Sequence, residues 1–365
     1  MTEIRVEELH KAFGAFTAVK GSTFTIGDGE FFCLLGPSGC GKTTTLRMIA
    51  GLELPTAGRI LLGGEDVTSM RASSRDIAFV FQLFALYPNM NVRKNIGFPL
   101  VSQGMGRAEA KRRVEEAART LRIAHLLDRS VSGLSAGDRQ RVALGRAIVR
   151  QPKAFLMDEP LGALDAELRH VMIGELRALH NRLRATTVYV THDQLEAMAM
   201  ADKIAIMNNG LIEQLGTPHE VYDRPATLFV ADFIGSPPMN FVPFGGGLER
   251  GASEIRLGDA AVKVPEVRED ISPRDLVLGV RPEHIQIKNE GALPGVVFGV
   301  EYLGTTQIVA LTTPFGALRA RAAANSGVSV GDRARLSFRP EKLSLFDKSS
   351  GRAIRTALNE APAHG

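Results

Sequence analysis

Cysteine is scarce in this chain, with two in 365 residues. That excludes a disulfide framework, because secreted scaffolds use many more. Cys33 stands in an apolar strand-like run and Cys40 in a glycine-rich loop that a bridge would distort. Both are expected as reduced thiols of a cytosolic protein, Cys33 as core. Long apolar runs are missing too. No window approaches the roughly 18 consecutive apolar residues that span a bilayer, so work at a membrane would need a partner. Residues Met1 to Glu8 carry acids early and contain no apolar stretch of a signal peptide. Nor does one sign of charge dominate. The net charge of +4 suits nucleic acid, a membrane surface or nucleotide phosphates and selects none of them. With 44% hydrophobic and 23% charged residues, what remains is an ordinary globular composition, long enough for two domains with their own cores.

The first two thirds alternate apolar β-branched runs with helix-like segments, the pattern of an α/β domain with a largely parallel sheet. Strands are predicted at 31–35, 77–81, 154–157 and 187–190, and helices at 44–50 and 107–122. The basic run Lys111-Arg112-Arg113 suggests either nucleic acid or the solvated face of a helix. Interleaved Glu109, Glu115 and Glu116 favour the solvated face. Near Gly235-Ser236-Pro237-Pro238 the composition changes, and Gly245-Gly246-Gly247 follows; both read as linker. Beyond it short alternating strands (276–280, 284–288, 296–302, 307–311, 333–338) predict a small β-barrel or sandwich. Arg281-Pro282-Glu283 and Arg339-Pro340-Glu341 both follow a strand and form a weak internal echo. The last residues are polar and alanine-rich and read as a disordered tail.

Gly36-Pro37-Ser38-Gly39-Cys40-Gly41-Lys42-Thr43 matches G-x-x-x-x-G-K-[ST] without a gap. Its glycines let backbone N–H groups turn inward around phosphate oxygens at a helix N-terminus. Lys42 is placed to reach the β- and γ-phosphates, and Thr43 to ligate Mg²⁺. Asp158 ends an apolar strand, where it can hold Mg²⁺. Glu159, next to it, can accept a proton from attacking water. His192 ends a neighbouring strand and can lie at the same edge. Gln82, after strand 77–81, can touch Mg²⁺ or water.

These parts and their order resemble the ATPase subunits of ABC transporters over roughly residues 1–235. In that resemblance Gly36 to Thr43, with Thr44, is the Walker A loop and Gln82 the Q-loop glutamine. Leu134-Ser135-Ala136-Gly137-Asp138-Arg139-Gln140 is the family signature. Asp158 and Glu159 are the Walker B acids, Leu164-Asp165 belongs to the D-loop, and His192 is the switch histidine. Phe13 looks like the aromatic that stacks on adenine. The fold it implies is a P-loop α/β domain of ABC type with a helical subdomain inserted at about 88–150. An OB-like all-β barrel then spans 236–350, and a tail spans 351–365.

The resemblance also implies a head-to-tail homodimer. Each ATP would lie between one Walker A loop and the partner's Ser135 and Gly137. Two departures stand out: Ala136 and Asp138 replace the common glycine and glutamine of the signature. Gly162 replaces a frequent D-loop serine. Around Gly235 to Phe241, Gly279 to His284 and Val300 to Gly304 the chain resembles the accessory barrel of maltose-type carbohydrate importers.

That barrel implies an importer ATPase peripheral to the cytoplasmic face of the inner membrane. It would work on two integral-membrane permease subunits, with a periplasmic or extracellular solute-binding protein beyond them. Gln82 and Leu83 to Pro88 would contact the permeases, and a cytosolic regulator could bind the barrel; no nucleic acid is expected. The solute read first is a sugar or sugar derivative. Polyamine, iron and glycerol phosphate are alternatives, as is a soluble ABC ATPase acting on nucleic acid or ribosomes. One phosphate loop and no sustained heptads count against the last.

Overall fold

The structure, a computed structural model, describes residues 2–82 and 85–360. The chain divides into two compact units, Met1–Ile212 and Glu213–Gly365. The first begins with β1 (Ile4–Phe13), β2 (Phe16–Ile26) and β3 (Phe31–Leu35), then α1 (Lys42–Ala50). Next come β4 (Ala57–Leu62), β5 (Glu65–Asp66) and β6 (Ile77–Val80). Three helices follow, α2 (Val92–Ser102), α3 (Arg107–Thr120) and α4 (Ala136–Ile148). The unit closes through β7 (Ala154–Asp158), α5 (Ala166–Leu183), β8 (Thr186–Thr191), α6 (Gln194–Met200) and β9 (Lys203–Asn208); β10 (Leu211–Gly216) crosses the boundary.

Six strands form the central sheet in the order β10-β9-β3-β8-β7-β6. Neighbours among β9, β3, β8, β7 and β6 run parallel. Every residue of β3 and β8 is buried, which is why these strands read as unbroken runs without alternation. The register pairs Leu35 with Thr191 and Asp158 with Val190. Three strands therefore end level, and the residues that follow them emerge at one edge, where ligands bind in open α/β sheets. A second sheet, β2-β1-β4-β5, is antiparallel in all its pairings. It was outside the expected parallel pattern. Its β1 buries Ile4 and Val6 by alternation, and a register shift at Glu8, which holds φ 45°, is followed by buried Leu9.

Local chemistry fixes the helices that carry the site. Buried Arg75 donates to the carbonyls of Met48 and Ile49 at 2.8 Å, placing a cation at the C-terminus of α1. In α3, Glu109 holds Arg112 at 2.7 Å and Arg113 at 2.8 Å. These pairs agree with the solvated-face reading of that basic run.

Among its described residues the second unit carries α7 (Pro218–Asp223) and α8 (Leu228–Phe233), then ten strands. They are β11 (Asn240–Leu248), β12 (Glu254–Leu257), β13 (Ala260–Lys263), β14 (Ile271–Val280), β15 (Ile285–Lys288), β16 (Leu293–Tyr302), β17 (Thr306–Thr313), β18 (Gly316–Ala323), β19 (Arg333–Phe338) and β20 (Ser344–Asp347). Sheets β11-β14-β20, β12-β13 and β15-β19-β16-β17-β18 surround one apolar core that includes Val242, Leu278, Val309 and Leu336. Gly245 to Gly247, expected as linker, lie inside β11, where Gly245 pairs with Asp275 and Gly246 with Arg274. Buried Arg281 donates to Ile234 O at 2.6 Å and to Tyr222 O at 2.9 Å, and its guanidinium stacks 3.7 Å from the Tyr222 ring. Residues 351–360 do not form a free tail. Arg352, Ala353 and Thr356 make β-bridges, and Ile354 is buried. The rest of the expected tail, 361–365, lies outside the described residues.

Candidate nucleotide site

The phosphate loop joins β3 to α1. Gly39 and Gly41 hold φ of 78° and 107°, the left-handed region that lets a loop turn its N–H groups inward. At Gly36 a Cβ would overlap the Met207 carbonyl oxygen, and at Gly41 it would stand 2.5 Å from the Ala18 carbonyl oxygen. Both glycines are thus required by close backbone approach. Ser38 and Gly39 are exposed, Pro37 and Thr44 half-buried, and Cys40 buried. Burial pushes the Cys40 thiol up, against the Lys42 charge. Lys42 itself is buried, and its Nζ donates to the carbonyls of Gly36 and Pro37 at 2.8 Å each. These two bonds hold the ammonium at the loop.

Thr43 Oγ1 donates to Asp158 Oδ1 at 2.9 Å, joining the start of α1 to the end of β7. Burial raises the Asp158 carboxyl above its usual value, and the Thr43 bond opposes that rise. No group of three or more His, Cys, Asp or Glu side chains is poised for a metal among the described residues. A hydroxyl and one carboxylate are nonetheless the hard oxygen donors that Mg²⁺ uses together with substrate phosphates.

Glu159 follows at φ 44°, a left-handed conformation costly for a non-glycine residue. Its N–H donates to Val190 O at 3.0 Å, which ties the strained residue to the neighbouring strand. Its Oε2 lies 3.2 Å from His192 Nδ1. With the carboxylate ionised, Nδ1–H is the donor. Gly162 completes the group: a Cβ there would stand 3.5 Å from Gln82 Nε2 and 3.9 Å from Glu159 Oε2. The structure therefore gathers Lys42, Thr43, Gln82, Asp158, Glu159 and His192 at one sheet edge.

Phe13 ends β1 opposite Phe16, and both rings are exposed. Lys11 Nζ lies 4.7 Å from the Phe13 ring centre. Ser135 is exposed and caps α4, while Gly137 is buried with Leu168 side-chain carbon 3.0 Å from where its Cβ would be. Neither residue belongs to the Lys42–Glu159 group in this chain. Of the segment 83–88, Leu83 and Phe84 lie outside the described residues; the Tyr87 ring meets Phe98 at a tilt, 4.6 Å between centres, and lies under Arg146.

One contributor was not read from the sequence. Arg169 on α5 donates to Leu164 O at 3.1 Å and to Asp193 Oδ2 at 3.3 Å, fastening the D-loop to the residue after His192. Its only sequence signal was a basic residue one turn into a helix that Asp165 caps.

A phosphate loop, a strand-end acid pair and a level histidine define a P-loop nucleotide hydrolase with a signature helix beside it. The profile of the ABC transporter family matches residues 19–162, that of the MalK OB fold domain 235–285, and that of the TOBE domain 278–346. The trehalose import ATP-binding protein SugC of Mycobacterium tuberculosis is 45% identical over 387 residues, 96% of this chain and 98% of that protein. The sn-glycerol-3-phosphate import ATP-binding protein UgpC of Rhodopseudomonas palustris is 45% identical over 372 residues, 100% of this chain and 93% of that protein. The structure of cbiO1 from Clostridium perfringens, part of the ABC transporter complex cbiONQ, matches with a TM-score of 0.57. It is 29% identical, covering 60% of this chain and 89% of that one. The chain belongs to the ABC transporter family as an ATP-binding subunit, with an ABC-type P-loop unit followed by an OB-fold and TOBE region.

Proposed function

We propose that this protein hydrolyses ATP to drive uptake of a sugar or sugar derivative through partner membrane subunits. The observation that carries the reading is the gathering of Lys42, Asp158, Glu159, Gln82 and His192 at the level strand ends. Glu159 is the general base for the attacking water. His192 orients that carboxylate and stands beside the γ-phosphate position. Lys42 exchanges its two loop carbonyls for phosphate oxygens, and Phe13 offers a face to adenine. Thr43, Asp158 and Gln82 would hold Mg²⁺, which neutralises phosphate charge when bound. Ser135 and Gly137 serve the nucleotide of a second copy in a head-to-tail homodimer.

No helix among the described residues is long and apolar enough to cross a membrane. The permeases would therefore be separate chains, and this subunit peripheral on the cytoplasmic face of the inner membrane. Tyr87, Phe98 and Val101, all exposed, support docking of those chains near the Gln82 segment. On β16, Val296, Phe298, Val300 and Tyr302 are exposed at alternate positions, a stripe suited to a subunit or regulator. The start of the MalK-type profile supports a family-domain junction near 235, downstream of the division between compact units after Ile212.

The carboxamide Glu159→Gln keeps the site's shape and removes its base. It should abolish turnover and transport while an ATP-stabilised dimer accumulates on size exclusion. Undiminished ATP hydrolysis would remove Glu159 from the role. A glycerol phosphate solute is the second reading, because relatives for trehalose and for sn-glycerol-3-phosphate are equally identical to this chain. Growth of a deletion strain on candidate sugars against glycerol phosphate separates the two.

A further inference from the structure

The signature serine is already engaged within its own subunit. Ser135 Oγ accepts from the Asp138 backbone N–H at 3.1 Å, capping α4. Its hydroxyl donates to Asp138 Oδ2 at 2.7 Å. A serine has one hydroxyl proton to give. The donor that the dimer reading assigns to a neighbour's nucleotide, and that would meet its γ-phosphate, is therefore held by a carboxylate one turn away. Such a bond is charge-assisted, roughly twice as strong as one between neutral groups.

Asp138 is also part of a cluster. Its Oδ1 meets Arg141 Nη1 at 3.3 Å. Arg141 turns Nε and Nη2 to Glu175, at 3.1 and 3.2 Å. Two carboxylates thus share one guanidinium, and the cluster stays negative beside an exposed helix start that an anion has to approach. The same acid in the first turn favours α4 through the helix dipole. What strengthens the free helix works against the incoming phosphate.

We infer that Asp138 is a positioning residue that restrains Ser135 and sets the ATP concentration at which two subunits close. An arriving γ-phosphate draws the Ser135 hydroxyl off Asp138 and approaches against its charge. A neutral side chain at 138, such as the family's common glutamine, imposes a lower threshold. The inference rests on the dimer reading given above and deepens it.

The test uses the full chain carrying Glu159→Gln and reads, by analytical ultracentrifugation, the ATP concentration for half-maximal dimer. Adding Asp138→Asn or Asp138→Gln should lower that concentration about three- to tenfold, as a charge-assisted bond gives way to a neutral one. With Glu159 intact, the same changes should lower KM for ATP and leave kcat within about twofold. On a Ser135→Ala background the Asp138→Asn step should shift the midpoint less, because the restrained donor is gone. A residue that only capped α4 would lower Tm and leave the ATP midpoint unmoved or raised; that result overturns the inference. If Glu159→Gln gives no ATP-dependent dimer at all, the dimer reading fails and the inference with it. An unmoved midpoint of an existing dimer is a different result and sinks Asp138 alone.

Discussion

Single residues decide how close the backbone may come to a nucleotide. Gly36 and Gly162 make a contrast. A methyl at 36 overlaps the Met207 carbonyl, whereas one at 162 meets its nearest neighbours, Glu159 O and Gln82 Nε2, at 3.4 and 3.5 Å, ordinary contact. Overpacking costs about 1–3 kcal/mol, and 1.4 kcal/mol is about tenfold in affinity. The loop shifts to relieve that overlap and has to be pushed back to cradle phosphate, so Gly36→Ala should weaken nucleotide binding by about tenfold, read by fluorescent-nucleotide titration. Gly162→Ala should keep ATP turnover within about twofold on the same reasoning. At this scale the sequence was most legible. The phosphate loop, Gln82, the acid pair and His192 are local patterns, and the structure brings them together. The Ser135–Asp138 bond was also within reach, since a serine three residues before an acid is a helix-start pattern.

Elements carry the next level. Helix α5 lies against the central sheet through His180, whose Nδ1 is 3.2 Å from Thr187 Oγ1 and whose ring meets Phe31 edge-on at 5.1 Å. Burial, then the Arg177 charge, lowers its pKa from the usual 6.5, while Asp202 opposes the change. A lowered imidazole pKa means that the folded state binds fewer protons than the unfolded one. Its contribution is present above about pH 6.5 and is lost as pH falls from there through the folded value. His180→Gln should accordingly show a smaller fall in Tm between pH 7.5 and 5.5 than the parent, by calorimetry at matched salt. An equal fall in both would place the titration elsewhere. Element types in the parallel sheet were legible because β3 is a continuous apolar run and β8 a run of β-branched and aromatic residues. Strand β11 was not, because three successive glycines read as linker. The ten-residue partner β14 supplies the ladder that overrides this composition. The two Arg-Pro-Glu sequences do share a form, each in a 3₁₀ turn after a strand. Their roles differ: Arg281 is buried and Arg339 exposed.

At the scale of the whole molecule, each unit has its own core. Arg281 satisfies the carbonyls of Tyr222 and Ile234 from inside the second. Arg281→Met leaves them unpaired at about 1–3 kcal/mol each. Scanning calorimetry should show the transition of the second unit lowered and that of the first in place. A single transition shifted as one would mean that the two units unfold together. The identity of the solute was illegible for a plain physical reason: no residue of an ATP-driven motor need touch the cargo. The central sheet has a final consequence for how this protein can vary. Each parallel strand rises about 3.3 Å per residue and alternates faces. With Asp158 level with Val190 and Leu35 with Thr191, one residue inserted in β7 would carry Glu159 past His192, one inserted in β8 would carry His192 past Glu159, and either would turn the displaced side chain over. The strands that carry the site and the phosphate loop 36–43 thus act as a ruler of fixed length, while connections away from that edge can vary.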